Sequence, residues 1–189
     1  MKKIVLFASG SGTNVENIIV HFNKGSQSNV VAVFTNNPHA KVVERAKNHN
    51  VNVLIFNKEE LSQGFVLQQL NDIQPDLIVL AGFLLKFPEP IIKEFPNQII
   101  NIHPALLPNY GGKGMYGMNV HKAVLGHHEK ETGITIHYVN EHYDEGGIIF
   151  QKAINIENCT TPEQIAEKVH ELEHEFFPIV IDQILTSNF

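Results

Sequence analysis

The chain has 189 residues, of which 43% are hydrophobic and 18% charged, an ordinary composition for a globular protein that forms a single domain over residues 1–189. Its net charge of −6, with only one arginine, argues against a nucleic-acid partner, and no apolar run approaches the roughly 20 residues that span a bilayer. A single cysteine, Cys159, excludes an internal disulfide and predicts a reducing, cytoplasmic environment.

The first 103 residues alternate between strand and helix patterns. Continuous apolar runs are typical of strands that are covered on both faces, and the segments between them have the i, i+3, i+4 spacing of amphipathic helices. The predicted strands are 4–7, 30–34, 53–56, 77–81 and 98–102, and the predicted helices are 15–22, 40–49, 61–73 and 90–95. This order predicts a doubly wound, mostly parallel, Rossmann-like α/β sheet.

The pattern changes after residue 103. A long glycine-rich connection covers 104–118, and connections of this length usually have a function or are mobile. A short helix near 121–125 precedes an alternating strand over 133–139. A second strand over 148–153 follows a turn that contains two glycines, so we expect at least one late strand to run antiparallel.

A long C-terminal helix is predicted from Thr161 onwards. Thr161 is suited to the N-cap, Pro162 to the first helical position and Gln164 to the capping-box position. The predicted buried stripe of this helix consists of Ile165, Val169, Leu172, Phe176 and Val180.

The same helix contains the pattern H-E-x-x-H at residues 170–174, which in metalloproteases binds zinc. A third ligand would have to come from elsewhere, yet only 15 residues follow His174 and they include no second helix. We therefore predict no metal site here. Glu173 flanks the apolar stripe, and it is either a solvated helix acid or a residue of a site at the sheet edge.

The turn Gly10-Ser11-Gly12-Thr13-Asn14 follows the first strand and opens the first helix. Backbone N–H groups and the helix dipole make such a turn an anion site, most often for phosphate. A dinucleotide site is disfavoured because Val15 replaces the third glycine and no acidic residue lies between Glu16 and Glu44 to hold a ribose. A phosphate without a dinucleotide is favoured, and a tight turn without a ligand is the alternative.

Asn101 and His103 stand at the carboxyl end of the fifth strand, where open α/β sheets bind their ligands. Residues i and i+2 of a strand point to the same side, so both side chains can reach one small group. An imidazole supplies a proton near neutral pH, and a carboxamide donates to an oxygen that gains charge. The alternative is a histidine that only hydrogen-bonds its own loop.

Two loop segments complete the candidate site. Asp144 lies between the late strands, where it either only forms a turn or sits beside His103 and raises the pKa of that imidazole. The segment Gly111-Gly112-Lys113-Gly114 looks like a phosphate loop, but it lacks the Ser or Thr after the lysine and a strand before it. A flexible loop over the site is the favoured interpretation of that segment.

Taken together, these motifs resemble those of the folate-dependent phosphoribosylglycinamide formyltransferases of purine synthesis. The resemblance covers essentially the whole chain and includes the turn at 10–14, Leu80-Ala81-Gly82-Phe83, Asn101-Ile102-His103-Pro104, Leu106-Leu107-Pro108, residues 133–137, Asp144 with Gly146-Gly147, and Glu173-His174 with Pro178. It implies a formyltransferase fold with a phosphate-binding half, 1–103, and a half with the catalytic loop and folate site, 104–189.

The resemblance also implies a role for each matching residue. The catalytic set would be Asn101, His103 and Asp144. The ribonucleotide would be bound by Gly12, Thr13, Asn14 and Glu173. The folate pocket would be formed by Leu84, Leu85, Lys86, Phe87, Asn101, Asn140, Glu141, His142 and Tyr143. Lys86 stands where family members often have an arginine near the folate tail, and the loop 111–118 is longer than is usual in the family.

The implied reaction transfers the formyl group of 10-formyltetrahydrofolate, as co-substrate and without a metal, to glycinamide ribonucleotide. Both partners are small molecules, and neither a nucleic acid nor a membrane is involved, although a homodimer would be compatible with the family. The alternatives are another folate formyl enzyme, such as a formyltetrahydrofolate hydrolase, and a nucleotide-binding regulatory module without catalysis. A module of that kind would have no reason to align Asn101 with His103.

Overall fold

The computed structural model describes residues 1–23, 25 and 27–186 as a twisted sheet with helices packed on both faces. The strands are β1 (Lys2–Phe7), β2 (Ser28–Thr35), β3 (Asn52–Ile55), β4 (Leu77–Leu80), β5 (Ile99–His103), β6 (Glu131–Tyr138) and β7 (Ile148–Asn155). The helices are α1 (Thr13–Phe22), α2 (Lys41–Asn48), α3 (Lys58–Ser62), α4 (Phe65–Ile73), α5 (Glu89–Glu94), α6 (Met118–Gly126) and α7 (Pro162–Thr186). No helix in these ranges is long and apolar enough to cross a membrane.

The strand order is β3-β2-β1-β4-β5-β6-β7. The first five strands in this order pair in parallel, β6 pairs antiparallel with β5, and β7 pairs antiparallel with β6. This topology confirms the predicted doubly wound, mostly parallel sheet with a late antiparallel strand and a C-terminal helix.

The central strands are apolar on both sides because helices cover both faces. Along β1, Ile4 and Leu6 belong to one buried cluster and Val5 and Phe7 to the other. The first cluster lies under α1, α2, α6 and α7, and the second lies under α3, α4 and α5. The alternation of side chains along β1 therefore joins two cores through one sheet.

One predicted helix, 61–73, was wrong in its boundaries. The segment forms α3 and α4, which are separated at Gly64. Asn57 and Glu60 make a reciprocal capping box that starts α3 before residue 61, and Gly64, with φ of 95°, is the N-cap of α4. The apolar spacing of Leu61 and the later residues continues across this break, so periodicity alone could not reveal it.

The predicted stripe of α7 was wrong at Phe176. The buried residue is Phe177, whereas Phe176 is partly buried and stacks on Phe150 with 5.2 Å between ring centroids. Phe176 thus covers the edge strand β7 instead of the core. The predicted cap is confirmed, since Thr161 Oγ1 accepts from the Gln164 backbone and Gln164 Oε1 accepts from the Thr161 backbone.

The topology brings several loops to one edge of the sheet. The carboxyl ends of β1, β4 and β5 lie side by side, because parallel neighbours end at the same edge. The antiparallel register pairs Asn101 on β5 with His137 on β6. The site described below is built on this edge.

The turn before β7 approaches the end of β6 closely, and this approach can be tested. A Cβ on Gly146 would overlap the carbonyl oxygen of Tyr138, whereas a Cβ on Gly147 would meet only the Tyr138 ring at 3.8 Å. We expect Gly146→Ala to lower the free energy of unfolding by about 1 to 3 kcal/mol, the usual cost of overpacking, and Gly147→Ala to change it little. Urea denaturation of the two variants and the parent protein makes this comparison. Equal stability of the two variants would contradict the close approach at Gly146.

Candidate active site

A cavity of about 900 Å³ opens at the carboxyl edge of the sheet. It is lined by the turn at 10–14, by the segment 80–87, by the end of β5, by the loop 112–117 and by one side of α7. All residues that the sequence predicted for catalysis, for the ribonucleotide and for the folate line this cavity. The structure therefore brings the predicted residues together, while their individual roles stay predictions.

His103 and Asp144 meet inside the cavity. His103 Nε2 lies 2.7 Å from the carbonyl oxygen of Tyr110, so this nitrogen donates its proton to the loop. Its Nδ1 lies 3.6 Å from Asp144 Oδ2, and both side chains are largely buried. The second proton of an imidazolium would therefore sit on Nδ1, between Asp144 and the open space of the cavity.

Sequence reasoning missed His137, which is part of the same group. His137 Nδ1 donates to the carbonyl of Tyr138 at 2.8 Å, so in the neutral ring Nε2 is an acceptor. Asn101 Nδ2 lies 3.1 Å from that Nε2, and Asp144 Oδ1 lies 3.6 Å from it. One N–H of the Asn101 amide is thus held by His137, and the other remains for a ligand. His137 lies opposite Asn101 in the antiparallel pair, so it could have been predicted only from the pairing register of β5 and β6.

The loop that the sequence predicted to be flexible is partly fixed by Asp144. The Gly112 backbone N–H donates to Asp144 Oδ2 at 2.9 Å. A Cβ on Gly111 would lie 2.5 Å from a methyl group of Leu107 and 3.3 Å from the Cβ of Asp144. Gly111 therefore allows the loop to approach Leu107 and Asp144 closely, and Gly112 adopts a positive φ of 92° that favours glycine.

The pKa of His103 is lowered overall by burial, although Asp144 acts to raise it, as the sequence predicted. Burial disfavours the imidazolium and lowers the pKa, and the attraction of Asp144 opposes this effect without overcoming it. Burial acts to raise the pKa of Asp144, but the net pKa is lowered by His137, by the charge on His103 and by the Gly112 N–H. The site holds a carboxylate between two imidazoles, of which His103 is largely neutral at pH 7.

The segment after His103 is held by hydrogen bonds to β6 and β7, of which the two to Thr135 are buried. Thr135 Oγ1 donates to the carbonyl of Ala105 at 2.7 Å and accepts from the backbone N–H of Leu107 at 3.0 Å. Gln151 Nε2 donates to the carbonyl of Leu107 at 2.9 Å. These bonds satisfy a buried backbone that has left the sheet, and they hold the segment that follows His103.

The turn at 10–14 has the geometry of an anion site. Gly12 is the N-cap of α1 with φ of 73°, and a Cβ there would overlap Val42. Arg45 Nε donates to the carbonyl of Ser11 at 3.0 Å, so α2 supports the turn from behind. Asn14 Nδ2 donates to Glu173 Oε2 at 2.8 Å and connects the turn to α7. The first N–H groups of α1 have no partner within the helix, and the residues that carry them line the cavity.

The two predicted folate segments face each other at the other end of the cavity. Leu84 is half exposed, and Phe87 is buried against Phe7 with 5.1 Å between ring centroids. Lys86 Nζ lies 5.8 Å from the ring centroid of Tyr143, so the segments 84–87 and 140–143 touch. Ser9, which sequence reasoning also missed, accepts from the Leu84 backbone at 3.0 Å and fixes the first of these segments.

Within the described residues, no group of three or more His, Cys, Asp or Glu side chains is placed to hold a metal ion. The rings of His170 and His174 are 4.0 Å apart, and Glu173 contacts Asn14 and His170. His121 on α6 also lines the cavity, and burial lowers its pKa. Its Nδ1 is buried without a partner in the part of the chain that the structure describes.

Comparison with known proteins finds relatives that all belong to one family. The formyl transferase family model matches residues 2–181. The phosphoribosylglycinamide formyltransferase of Bacillus subtilis is 36% identical over 195 residues, which cover 100% of this chain and 97% of that protein. The crystal structure of phosphoribosylglycinamide formyltransferase from Bacillus halodurans superposes with a TM-score of 0.89 at 36% identity, covering 100% of this chain and 97% of the other.

Plant relatives are similar but longer. The chloroplastic phosphoribosylglycinamide formyltransferase of Arabidopsis thaliana is 40% identical over 190 residues, which cover 97% of this chain. This chain spans 65% of that protein and 61% of the corresponding protein of Vigna unguiculata.

Burial and Asp144 have opposite effects on the pKa of His103, and this leads to a testable prediction. In Asp144→Asn the attraction to the imidazolium is lost and burial remains, so the pKa of His103 should fall further. Asparagine tolerates the positive φ of 56° at this position and can still accept from Gly112. NMR titration of His103 measures the change, with the exposed neighbour Glu145→Gln as the matched control. An unchanged pKa in Asp144→Asn would mean that the carboxylate only organises the loop.

Proposed function

The chain belongs to the formyl transferase family, and we propose that it transfers the formyl group of 10-formyltetrahydrofolate to the amine of glycinamide ribonucleotide. The products are formylglycinamide ribonucleotide and tetrahydrofolate. The observation that carries the proposal is that an anion-binding turn at 10–14 and the group Asn101, His103 and Asp144 share one cavity. The turn can hold the phosphate of the ribonucleotide while the amine of the same molecule reaches the group of Asn101, His103 and Asp144.

The chemistry begins when the substrate amine attacks the formyl carbon of the donor. The carbonyl oxygen becomes an oxyanion, which accepts from the free N–H of Asn101 and from Nδ1–H of protonated His103. Collapse of the tetrahedral intermediate breaks the bond to N10 of the folate, which leaves with a proton, while the former amine loses one. Asp144 holds the imidazolium in place, which is needed because burial alone disfavours that charge.

The ribonucleotide is bound at two points. Backbone N–H groups of Gly12, Thr13 and Asn14 bind the phosphate, a task for which the chain has no free arginine because Arg45 pairs with Glu16. Glu173, held by Asn14, accepts hydrogen bonds from the ribose hydroxyls. These contacts place the amine toward the end of β5.

The folate lies between Leu84–Phe87 and Asn140–Tyr143. Apolar surface at Leu84 and Leu85 packs on the pterin, and Lys86 meets the carboxylates of the glutamate tail. In terms of the chain, 1–103 supplies the phosphate turn, and 104–189 supplies the catalytic loop and one wall of the folate site. No metal takes part in this scheme.

Two alternative functions would give different results in a simple assay. A formyltetrahydrofolate hydrolase would consume the formyl donor without any ribonucleotide, and a regulatory module would bind ligand without consuming the donor. The purified chain should consume 10-formyltetrahydrofolate only when glycinamide ribonucleotide is present. Consumption without the ribonucleotide, or binding without consumption, would refute the proposal.

The proposed partners and setting follow from the same features. Both substrates are small molecules, and the net charge of −6 is unsuited to a nucleic-acid partner. The single cysteine is compatible with the reducing cytoplasm, which we propose as the place of action.

Turnover should depend on the two proposed oxyanion donors. His103→Ala and Asn101→Ala should each lose about 100- to 1,000-fold in kcat, the usual effect of removing one such donor, and should still bind the ribonucleotide. Single-turnover kinetics and calorimetry separate the two effects. His39→Ala and Asn29→Ala, at exposed positions away from the cavity, are the matched controls. Near-normal kcat in either of the first two variants would refute the assignment.

Lys86 gives a test of the folate end. Lys86→Met keeps the length of the side chain and removes its charge, so KM for a folate with a polyglutamate tail should rise by about threefold to fivefold, the range of one exposed ion pair. KM for the ribonucleotide should not change. Lys47→Met, on the exposed side of α2, is the control for the loss of one positive charge. A similar rise for both substrates would argue against a tail contact.

A further inference from the structure

Tyr110 links His103 to the connection between α6 and β6. Its backbone carbonyl accepts a hydrogen bond from His103 Nε2 at 2.7 Å. Its side-chain hydroxyl donates to Glu129 Oε1 at 2.6 Å and lies 3.0 Å from His127 Nδ1. Because the hydroxyl proton goes to the carboxylate, Nδ1 of His127 is the donor in the second bond. One residue is therefore held at both ends, by the imidazole on one side and by this connection on the other.

The connection that receives the hydroxyl is itself fixed to α6. The backbone N–H of His127 donates to the carbonyl of Ala123 at 3.0 Å. The backbone N–H of Glu129 donates to the carbonyl of Val124 at 3.3 Å, and the side chain of Val124 is buried in the core. Burial, and then the hydrogen bond to Glu129, raise the pKa of Tyr110 to about 12, so the hydroxyl stays a donor throughout the neutral pH range.

The backbone of Tyr110 has an unusual conformation. Its φ of 58° lies in the left-handed region, which residues with a side chain seldom adopt and which persists only where the surroundings hold it. Two residues later, the Gly112 N–H donates to Asp144 Oδ2 at 2.9 Å. The segment 110–112 thus presents a carbonyl to His103 and an N–H to Asp144, and its position sets how these two side chains face each other.

Two acceptors compete for the proton of neutral His103, because a neutral imidazole has only one N–H. The Tyr110 carbonyl lies 2.7 Å from Nε2, whereas Asp144 Oδ2 lies 3.6 Å from Nδ1, beyond an ordinary hydrogen bond. A carboxylate is nevertheless the stronger acceptor, since hydrogen bonds to charged groups are roughly twice as strong as neutral ones. The carbonyl therefore keeps the proton on Nε2 only while Tyr110 is held in place.

We propose that Tyr110 and Glu129 are positioning residues that fix the tautomer of His103. Through the Tyr110 carbonyl they keep the proton of the neutral ring on Nε2, so Nδ1 faces Asp144 and the cavity unprotonated. Nδ1 is then the nitrogen that takes up the proton lost by the substrate amine, while the Nε2–H bond and the Tyr110 hydroxyl stay as they are. The inference rests on the proposed function for its kinetic consequence, whereas the tautomer itself does not depend on it.

The nitrogen NMR resonances of the His103 ring report the tautomer directly. At about pH 8, where burial keeps this imidazole neutral, the parent protein should show the Nε2–H form. Tyr110→Phe removes the hydroxyl and keeps the ring, and Glu129→Ala removes its acceptor, so both variants should shift His103 toward the Nδ1–H form. Glu94→Ala, at the exposed end of α5, is the matched control and should behave like the parent. An Nδ1–H form in the parent, or a parent-like tautomer in either test variant, would overturn the inference.

Turnover gives a second readout. In Tyr110→Phe and in Glu129→Ala, kcat should fall by about tenfold, less than the roughly 100-fold cost of misplacing a reacting group by about 1 Å, and KM for both substrates should change by less than about twofold. The double variant should lose no more than either single variant, because the two residues act through one hydrogen bond.

The two readouts together separate a positioning role from a structural one. Additive losses of kcat in the double variant, a loss of kcat with an unchanged tautomer, or a shifted tautomer with normal kcat would each refute the positioning role. Absence of formyl transfer by the parent would instead refute the proposed function, and the resonances of His103 would still decide which nitrogen Tyr110 keeps protonated.

Discussion

The site depends on one buried carboxylate held between two imidazoles. Asp144 lies 3.6 Å from both His103 and His137, and it also accepts a hydrogen bond from the Gly112 N–H. A buried carboxylate without partners would carry a large desolvation cost, so its position requires β5, β6, the glycine-rich loop and the turn before β7 to converge. The convergence also sets the chemistry, because His103 is buried deeply enough to be mostly neutral and relies on Asp144 to become charged.

Much of the fold could be predicted because its strands are covered on both faces and read as apolar runs. The alternation of these runs with helix patterns is enough for a parallel sheet, and the two glycines before β7 indicated the antiparallel strand. The errors have local causes. The capping box at Asn57 and Glu60 and the positive φ at Gly64 divide one apolar pattern into α3 and α4. Phe176 packs on Phe150 of the edge strand β7, a contact that helical periodicity cannot reveal.

The site could be predicted where it depends on spacing along the chain, and less so where it depends on contacts between strands. Asn101 and His103 follow from the i, i+2 geometry of a strand end. His137 and Ser9 were missed because their roles depend on the pairing of β5 with β6 and on the approach of Leu84 to β1. The effect of Asp144 on the pKa of His103 could be predicted, but the larger effect of burial could not, since a sequence indicates a neighbouring charge more readily than it indicates the extent of burial.

The cavity separates binding from chemistry by using different groups at its two ends. At the end of β5, His103 is 3% exposed, and burial sets its preference for the neutral form. At the phosphate end, the turn at 10–14 offers backbone N–H groups at the start of α1, which attract an anion without any change of protonation. In a chain with one arginine, already paired with Glu16, backbone N–H groups can hold an incoming anion while a histidine supplies the proton donor for an oxyanion. A fixed cation next to Asp144 would pair with that carboxylate in the empty cavity, whereas His103 becomes charged only with substrate present and leaves Asp144 free to stabilise that charge.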